Sequence, residues 1–420
     1  MVPRPTTETY TAPVPPPYQP EFIITNVRVF NGRDVLPGPY DVTISHGMIS
    51  SMVVSTEPSS SHIGSPILKV DGTDKTILPG LIDSHVHITH PSQLDMLISS
   101  GITTIFDMGC FPPALVSSIR EACVLSDDPT APVRPQFYSA GMPATTSDSK
   151  HARMLPYSPE SPIFLDRNSR GEDVQTHVKR WVQDRIEEGS DYIKIVADVP
   201  GPTQDTVHLL VQEARNQGKK SVAHAASLEA WKMALDAGVD LITHVPFNGI
   251  LSEQASESLA NRRGDEKVKA AVPTLTMSKA IAQFQQSTYR GERDGLVNMV
   301  MESSFGSVKK LHEAERNGQG VVVLAGTDAN ELPFSKVKHG ESLIEELELL
   351  ANGAGYSPVE ALRAATSVPA TWWGLDGKGV IEVGAKADLL LVGGQPWDDV
   401  GALRNVVGVW REGKASFRRP

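Results

Sequence analysis

Two histidines, His85 and His87, stand at i and i+2 in the stretch LIDSHVHI. On a strand, side chains two apart share a face, so both imidazoles can reach one metal ion. A chance pair of buried histidines reads the same way, and the pair alone is a weak signal. Lys194 lies in DYIKIVAD between two isoleucines, where a lone ammonium would lose its hydration. It either pairs with a nearby carboxylate such as Asp198, or is held neutral and carboxylated by carbon dioxide to an anionic carbamate that bridges two metals. His224 in SVAHAA, His244 in LITHVP and Asp328 in VLAGTDAN each sit at the end of an apolar run. Singly, each could be a satisfied core residue. Jointly, six metal-capable groups at the ends of separate strand-like segments point to a metal centre.

The segments that must position them alternate strand and helix. Between Asp191 and Val245, DYIKIVAD, SVAHAA and VDLITHV read as short strands, separated by DTVHLLVQEARNQ and LEAWKMALDAG with apolar residues at helical spacing. Asp205 and Ser227 are the expected N-caps, and Gly218 the expected stop. ILPGLIDSHVHI, ITTIFDMG and RPQFYSAG before them, with VPTLTMS and VVVLAGTDA after, bring the strands to the eight that close a (β/α)₈ TIM-type barrel. In such barrels the C-terminal strand ends carry the active site, and all six residues fall there. Both ends of the chain differ in texture. FIITNVRVF, YDVTISHGMISSMVV, KADLLLVGG and LRNVVGVWREGKASF read as short strands with Gly-containing turns.

Composition narrows the class. With 420 residues the chain can bury a large core and hold a barrel plus a smaller unit. A net charge of −11, from 39 Lys+Arg against 50 Asp+Glu, argues against nucleic-acid binding and a basic membrane-facing surface. Two cysteines, Cys110 and Cys123, exclude a disulfide framework. Residues 1–20 are Pro/Thr-rich without an apolar h-region, and read as a disordered or extended tail. No apolar run approaches the roughly 18 residues of a membrane span. The expected location is cytoplasmic and the expected partner a small-molecule substrate, with neither nucleic acid nor membrane; exposed β edges make a homo-oligomer possible.

LPGLIDSHVH, GITTIFDMG, GSDYIKIVAD, SVAHAASLEAWKMALDAGVDLITH, VVVLAGTDA, SPVEALRAATSVPA and GKGVIEVGAKADLLLV together resemble the amidohydrolase superfamily, in its prolidase-like and imidazolonepropionase-like branch. The resemblance runs from Phe22 to the C-terminus. It implies that His85, His87 and Asp328 bind one divalent metal and His224 and His244 the other, with Lys194 bridging as its carbamate. It also implies a β-sandwich built from both termini (21–77 and 379–420) beside a barrel over 78–378. Zinc is the expected metal, although such a nitrogen and oxygen donor set also accepts manganese or cobalt. Two stretches depart from the family. After His224 the chain reads AHAAS without the usual second histidine, and around His244 it reads Thr243-His244-Val245-Pro246 in place of Glu-His-Gly. No ligand is lost, but the pocket wall changes.

The implied chemistry is hydrolysis of an amide-type C–N bond in a cyclic amide, an N-acyl amino acid or a dipeptide. A metal-bridging hydroxide attacks the carbonyl, and Asp328 acts as general acid and base. The same metal site could instead serve decarboxylation or lactone opening. A catalytically silent binding protein would be expected to lack a ligand, and none is missing. The stretch from Met142 to Arg170 reads as a lid or specificity loop. Its His151 resembles a loop histidine that contacts substrate in relatives, with Tyr157 and Arg153 as weaker candidates. The Glu-rich helix ESLIEELELL reads as a solvated face over an apolar stripe.

Overall fold

The computed structural model describes residues 21–55, 67–128, 130–154, 161–166, 170–253, 255, 269–288, 294–319 and 321–418. The expected tail over 1–20, and Tyr157, lie outside the described residues.

Five strands open the chain: β1 (Glu21–Val29), β2 (Tyr40–Ser45), β3 (Met48–Val54), β4 (Leu68–Asp71) and β5 (Lys75–Pro79). Eight further strands follow: β6 (Leu81–Val86), β7 (Ile102–Asp107), β8 (Gln136–Ser139), β9 (Ile193–Val196), β10 (Ser221–His224), β11 (Leu241–Thr243), β12 (Lys269–Val272) and β13 (Val321–Val323). The chain closes with β14 (Leu389–Gly393), β15 (Val406–Arg411) and β16 (Lys414–Arg418). Helices between β6 and β13 make this part α/β, and its strand pairs are all parallel.

Strands from the two ends of the chain share one eight-stranded sheet, in the order β16-β15-β14-β5-β1-β2-β3, with β4 against β1. Alternation along β14 shows how it is held. Leu389 and Leu391 point into a small core with Phe22, Ile24, Ile44 and Trp410, while Leu390 and Val392 join the large core beneath the helices. A strand buried on both faces must be apolar throughout, as LLLV is.

The parallel strands form a five-stranded sheet, β13-β12-β11-β10-β9, and a three-stranded sheet, β6-β7-β8. Isolated parallel bridges lie between them, at Val86–Ala329 and Ala144–Ile195. Alternate residues face two different cores here as well. Tyr192, Val222, Leu241 and Leu324 gather in an inner cluster, while Ile193, Ala223, Ile242 and Val323 meet the helices. Two residues further along each inner face stand Lys194, His224 and Thr243. The strand period that packs the inner cluster therefore aims the polar groups at its C-terminal end.

Three local expectations are corrected. ILPGLIDSHVHI is two strands, because Gly80 breaks it: a Cβ there would lie 2.3 Å from the Thr103 side chain. VPTLTMS is not the seventh strand. That strand is β12, and the helix Leu275–Thr288 starts inside the run, after Thr274 turns to φ +52°. Residues 271–278 are all buried, and full burial removes the alternation that tells strand from helix. Asp205 sits within the first turn of its helix, and Thr203 is the cap, accepting from Thr206 N. Ser227 caps as expected, accepting from Ala230 N.

Candidate metal centre

Asp328 brings together His85 of β6 and His87 just beyond its end. Its Oδ1 lies 3.1 Å from His85 Nε2 and 3.1 Å from His87 Nε2. The register of β6 against β7 shifts on both sides of Ile82–Asp83. Such an irregularity re-aims a strand, so that Ile82 packs in the inner cluster while His85 and His87 line the open end. Asp328 follows β13 with φ +57°, a left-handed conformation that aspartate tolerates better than most residues. It is pinned there by its own N–H donating to His85 O (2.8 Å) and by Asn330 Nδ2 donating to its carbonyl (2.6 Å).

His244 joins from the end of β11. Ligand atoms of His85, His244 and Asp328 all lie within 4.8 Å of one another. His224 Nδ1 is 3.0 Å from His244 Nε2. Lys194 lines the same cavity, 3% exposed. All six residues singled out in the sequence therefore border one space.

Proton positions bear on what that space can hold. Thr274 donates its hydroxyl hydrogen to Pro273 O (2.7 Å), so its oxygen accepts from His244 Nδ1 (2.6 Å). His244 Nε2 then carries a lone pair. His87 Nδ1 faces Gly109 O at 3.4 Å, and its Nε2 turns to Asp328 Oδ1. His85 Nδ1 faces Thr243 Oγ1 at 2.8 Å, while its buried Nε2 makes no hydrogen bond despite its closeness to Asp328. A buried nitrogen without a hydrogen bond is costly unless another partner takes it up.

The charge states agree. Burial pushes His85 and His224 down to about 3 and His244 well below the ordinary imidazole value. Burial also works downward on His87, but the Asp328 contact outweighs it and raises the value. Asp328 is pushed up by burial and pulled further down by His85 and His87, so its carboxyl stays well below the usual range. Burial lowers Lys194 to about 7, against the pull of Asp328 and Asp107. Three imidazoles kept neutral by burial, and a fourth beside an ionised carboxylate, are side chains that can serve a divalent cation as donors.

The pairing of Lys194 with Asp198 is not what the structure shows. Among the described residues Lys194 has no carboxylate within 4.0 Å, and Asp198 instead accepts from His151 N at 2.8 Å and faces His224 Nε2 at 3.7 Å. His151 reaches the cavity wall from the short helix Lys150–Met154, its ring 5.7 Å from that of His224. Arg153, in the same helix, does not line the cavity.

Several positioning residues were not singled out from the sequence. Asp83 Oδ1 accepts from His85 N and Thr327 N (both 3.1 Å), and Oδ2 accepts from Thr327 Oγ1 (2.8 Å), so one carboxylate ties both ligand-bearing segments together. Glu346 belongs to the Glu-rich helix yet is fully buried, and accepts from Leu275 N (2.9 Å) and Thr276 N (2.8 Å) beside Thr274. The solvated-face reading of that helix holds for Glu341 and fails for Glu346. Trp231, on the helix that Ser227 caps, donates Nε1 to His244 O (2.7 Å). An aspartate inside an apolar strand is the signal that could have exposed Asp83, by the argument used for Lys194.

Residues 76–416 match the amidohydrolase family. An uncharacterised protein of Mycobacterium tuberculosis is 27% identical over 347 residues, which cover 78% of this chain and 82% of that protein. Among solved structures, a Xaa-Pro dipeptidase with bound methionine in the active site aligns with a TM-score of 0.76 at 23% identity, over 95% of this chain and 100% of that one. An A. niger ochratoxinase aligns with a TM-score of 0.71 at 20% identity, over 95% of this chain and 96% of that one. At such identities the likeness is one of fold.

Proposed function

We propose, from the premise that this chain belongs to the amidohydrolase family, that it is a metal-dependent enzyme hydrolysing an amide-type C–N bond. The observation that carries the reading is the convergence of His85 Nε2 and His87 Nε2 on Asp328 Oδ1, with the first making no hydrogen bond. His85, His87 and Asp328 would hold one divalent cation and His224 and His244 a second, with zinc the expected ion. Bound there, the cations would lower the pKa of water towards neutrality and polarise a substrate carbonyl.

Lys194 would supply a further anionic donor to the cations. Its neutral Nζ adds to carbon dioxide, forming an N–C bond and releasing one proton, and the resulting carbamate is an anion. That Lys194 has no ion-pair partner within 4.0 Å among the described residues supports that role. Asp328 takes the proton of the attacking water and delivers it to the leaving nitrogen. His151 would contact substrate from the wall. The strands β6–β13 are read as a barrel, supported by the Val86–Ala329 and Ala144–Ile195 bridges, with the terminal sheet as its companion unit and the division near residues 78 and 378.

Metal analysis and chelation test the reading. Two equivalents of metal per chain are expected, with activity lost to a chelator and restored by zinc. A chelated enzyme as fast as the untreated one would overturn it. Asp328→Asn should lower kcat by about 10³-fold or more with the far-ultraviolet circular dichroism unchanged.

A further inference from the structure

The space above the donors is large and mostly apolar. Its volume is about 1280 Å³, beyond the ~300–1,000 Å³ of an ordinary small-molecule site. Phe111 and Leu115, after β7, stand on one part of the wall, and Phe334 follows β13. Phe247, Ile281 and Phe284 contribute from the segments after β11 and β12. An aromatic body extending from the scissile bond would find apolar partners in several directions.

The charge of the wall points the same way. Apart from the six donors and His151, the charged lining residues are Lys150, Asp198, Glu229 and Glu331. The acids outnumber the base, and no arginine occurs among the described lining residues. Asp198 is held by His151 N, Glu229 by Asn248 Nδ2 (3.0 Å), and Glu331 pairs with Lys336 (2.5 Å). Lys150 is exposed at the mouth. A dipeptide or N-acyl amino acid carries its carboxylate a few bonds from the scissile nitrogen. Such a carboxylate needs a fixed cationic or N–H clamp to enter a desolvated site; among the described lining residues the one cation outside the donor set is the exposed Lys150, and the Asn248 and Asn330 amides already donate to Glu229, Asp328 and Ser335.

We infer that the substrate is a neutral amide with a bulky aromatic or aliphatic body and no carboxylate beside the scissile nitrogen. This rests on the hydrolase reading above and narrows it away from dipeptides and N-acyl amino acids. Hydrolysis consumes one water, breaks the C–N bond, and releases a carboxylic acid and an uncharged amine.

The test uses the zinc-loaded full chain and three probes: acetanilide, phenylbutyranilide, and N-phenylbutyryl-proline. Phenylbutyranilide should have a kcat/KM about 10–200-fold above each of the others. Ile281→Arg, which adds a guanidinium to the wall, should reverse the preference between phenylbutyranilide and N-phenylbutyryl-proline, with its thermal midpoint checked for folding. Calorimetric titration of the metal-free protein gives a readout independent of turnover, with phenylbutyranilide binding and acetanilide not. Faster cleavage of acetanilide or N-phenylbutyryl-proline overturns the inference and leaves the hydrolase reading standing. Cleavage of none of the three, with phenylbutyranilide still binding selectively, overturns the hydrolase reading and upholds the pocket preference. Unselective binding overturns the pocket preference.

Discussion

Thr274 shows what a single side chain contributes to the centre. It is β-branched, yet it holds φ +52°, a conformation that costs of order 1–3 kcal/mol and persists only where its surroundings impose it. In return its oxygen fixes His244 with Nδ1 protonated and Nε2 bare. Thr274→Val keeps the shape and removes the acceptor. The His244 N–H would lose its 2.6 Å acceptor and keep only Thr243 Oγ1 at 3.4 Å, so zinc affinity should fall about 10–100-fold, as read by competition with a chromogenic chelator. Unchanged affinity would mean that Thr274 does not orient the imidazole. The six candidate donors were legible in the sequence only together, because each taken singly also reads as a satisfied core residue. Thr243, Thr274 and Thr327 were not, because threonine is an ordinary strand residue whose partners only the fold reveals.

At the level of elements, one buried and one half-buried glutamate carry the testable consequences. Glu346 joins the helix Glu341–Gly353 to the first turn of the helix Leu275–Thr288 by receiving two backbone N–H groups. Glu346→Leu strands both donors and should destabilise the protein by about 1–3 kcal/mol for each unpaired donor, measured by urea unfolding; a loss below 1 kcal/mol would show that water replaces the carboxylate. Glu315 lies in the helix Asp294–Arg316, where burial raises its carboxyl to about 7 against the Tyr356 hydroxyl that donates to it (3.2 Å). Its folded value exceeds the unfolded 4.5, so the folded state holds a proton that the unfolded state releases. The contribution of this group to stability is therefore greatest below about pH 4.5 and declines as pH rises through about 7. Glu315→Gln should flatten that decline, narrowing the pH 5 to 7.5 difference in thermal midpoint by about 1–3 °C. An unchanged pH profile would remove Glu315 as its source. Neither role was legible beforehand, since a glutamate among helical glutamates looks solvated until packing shows which one turns inward. The strand ends around Val272 were misplaced for the opposite reason, a run so thoroughly buried that no period survives in it.

Over the whole molecule, the alternation of strand and helix was readable and so was the β texture of both ends. That the ends share hydrogen bonds was implied only by family likeness, because no local pattern records a pairing between residues so far apart. Trp410 of β15 shows how much rests on it. It is 3% exposed, its ring stacks on Phe22 of β1 at 5.5 Å, and a Cβ at Gly408 would lie 2.4 Å from it. Trp410→Ala should cost about 3–5 kcal/mol in denaturant unfolding, and a cost below 1 kcal/mol would mean that the terminal sheet contributes little to global stability.

Pro79 in β5 finds its antiparallel neighbour at Leu389 in β14, roughly 300 residues later. At the ~5–20 residues per second of a working ribosome, the first strand waits some tens of seconds for its mate to be made. Throughout that interval its outer edge is an unpaired ladder of N–H and C=O groups, open to strands of neighbouring nascent chains. Strand β6, which carries the first candidate donor, begins two residues beyond Pro79, so a strand translated late steadies the neighbourhood of one translated early.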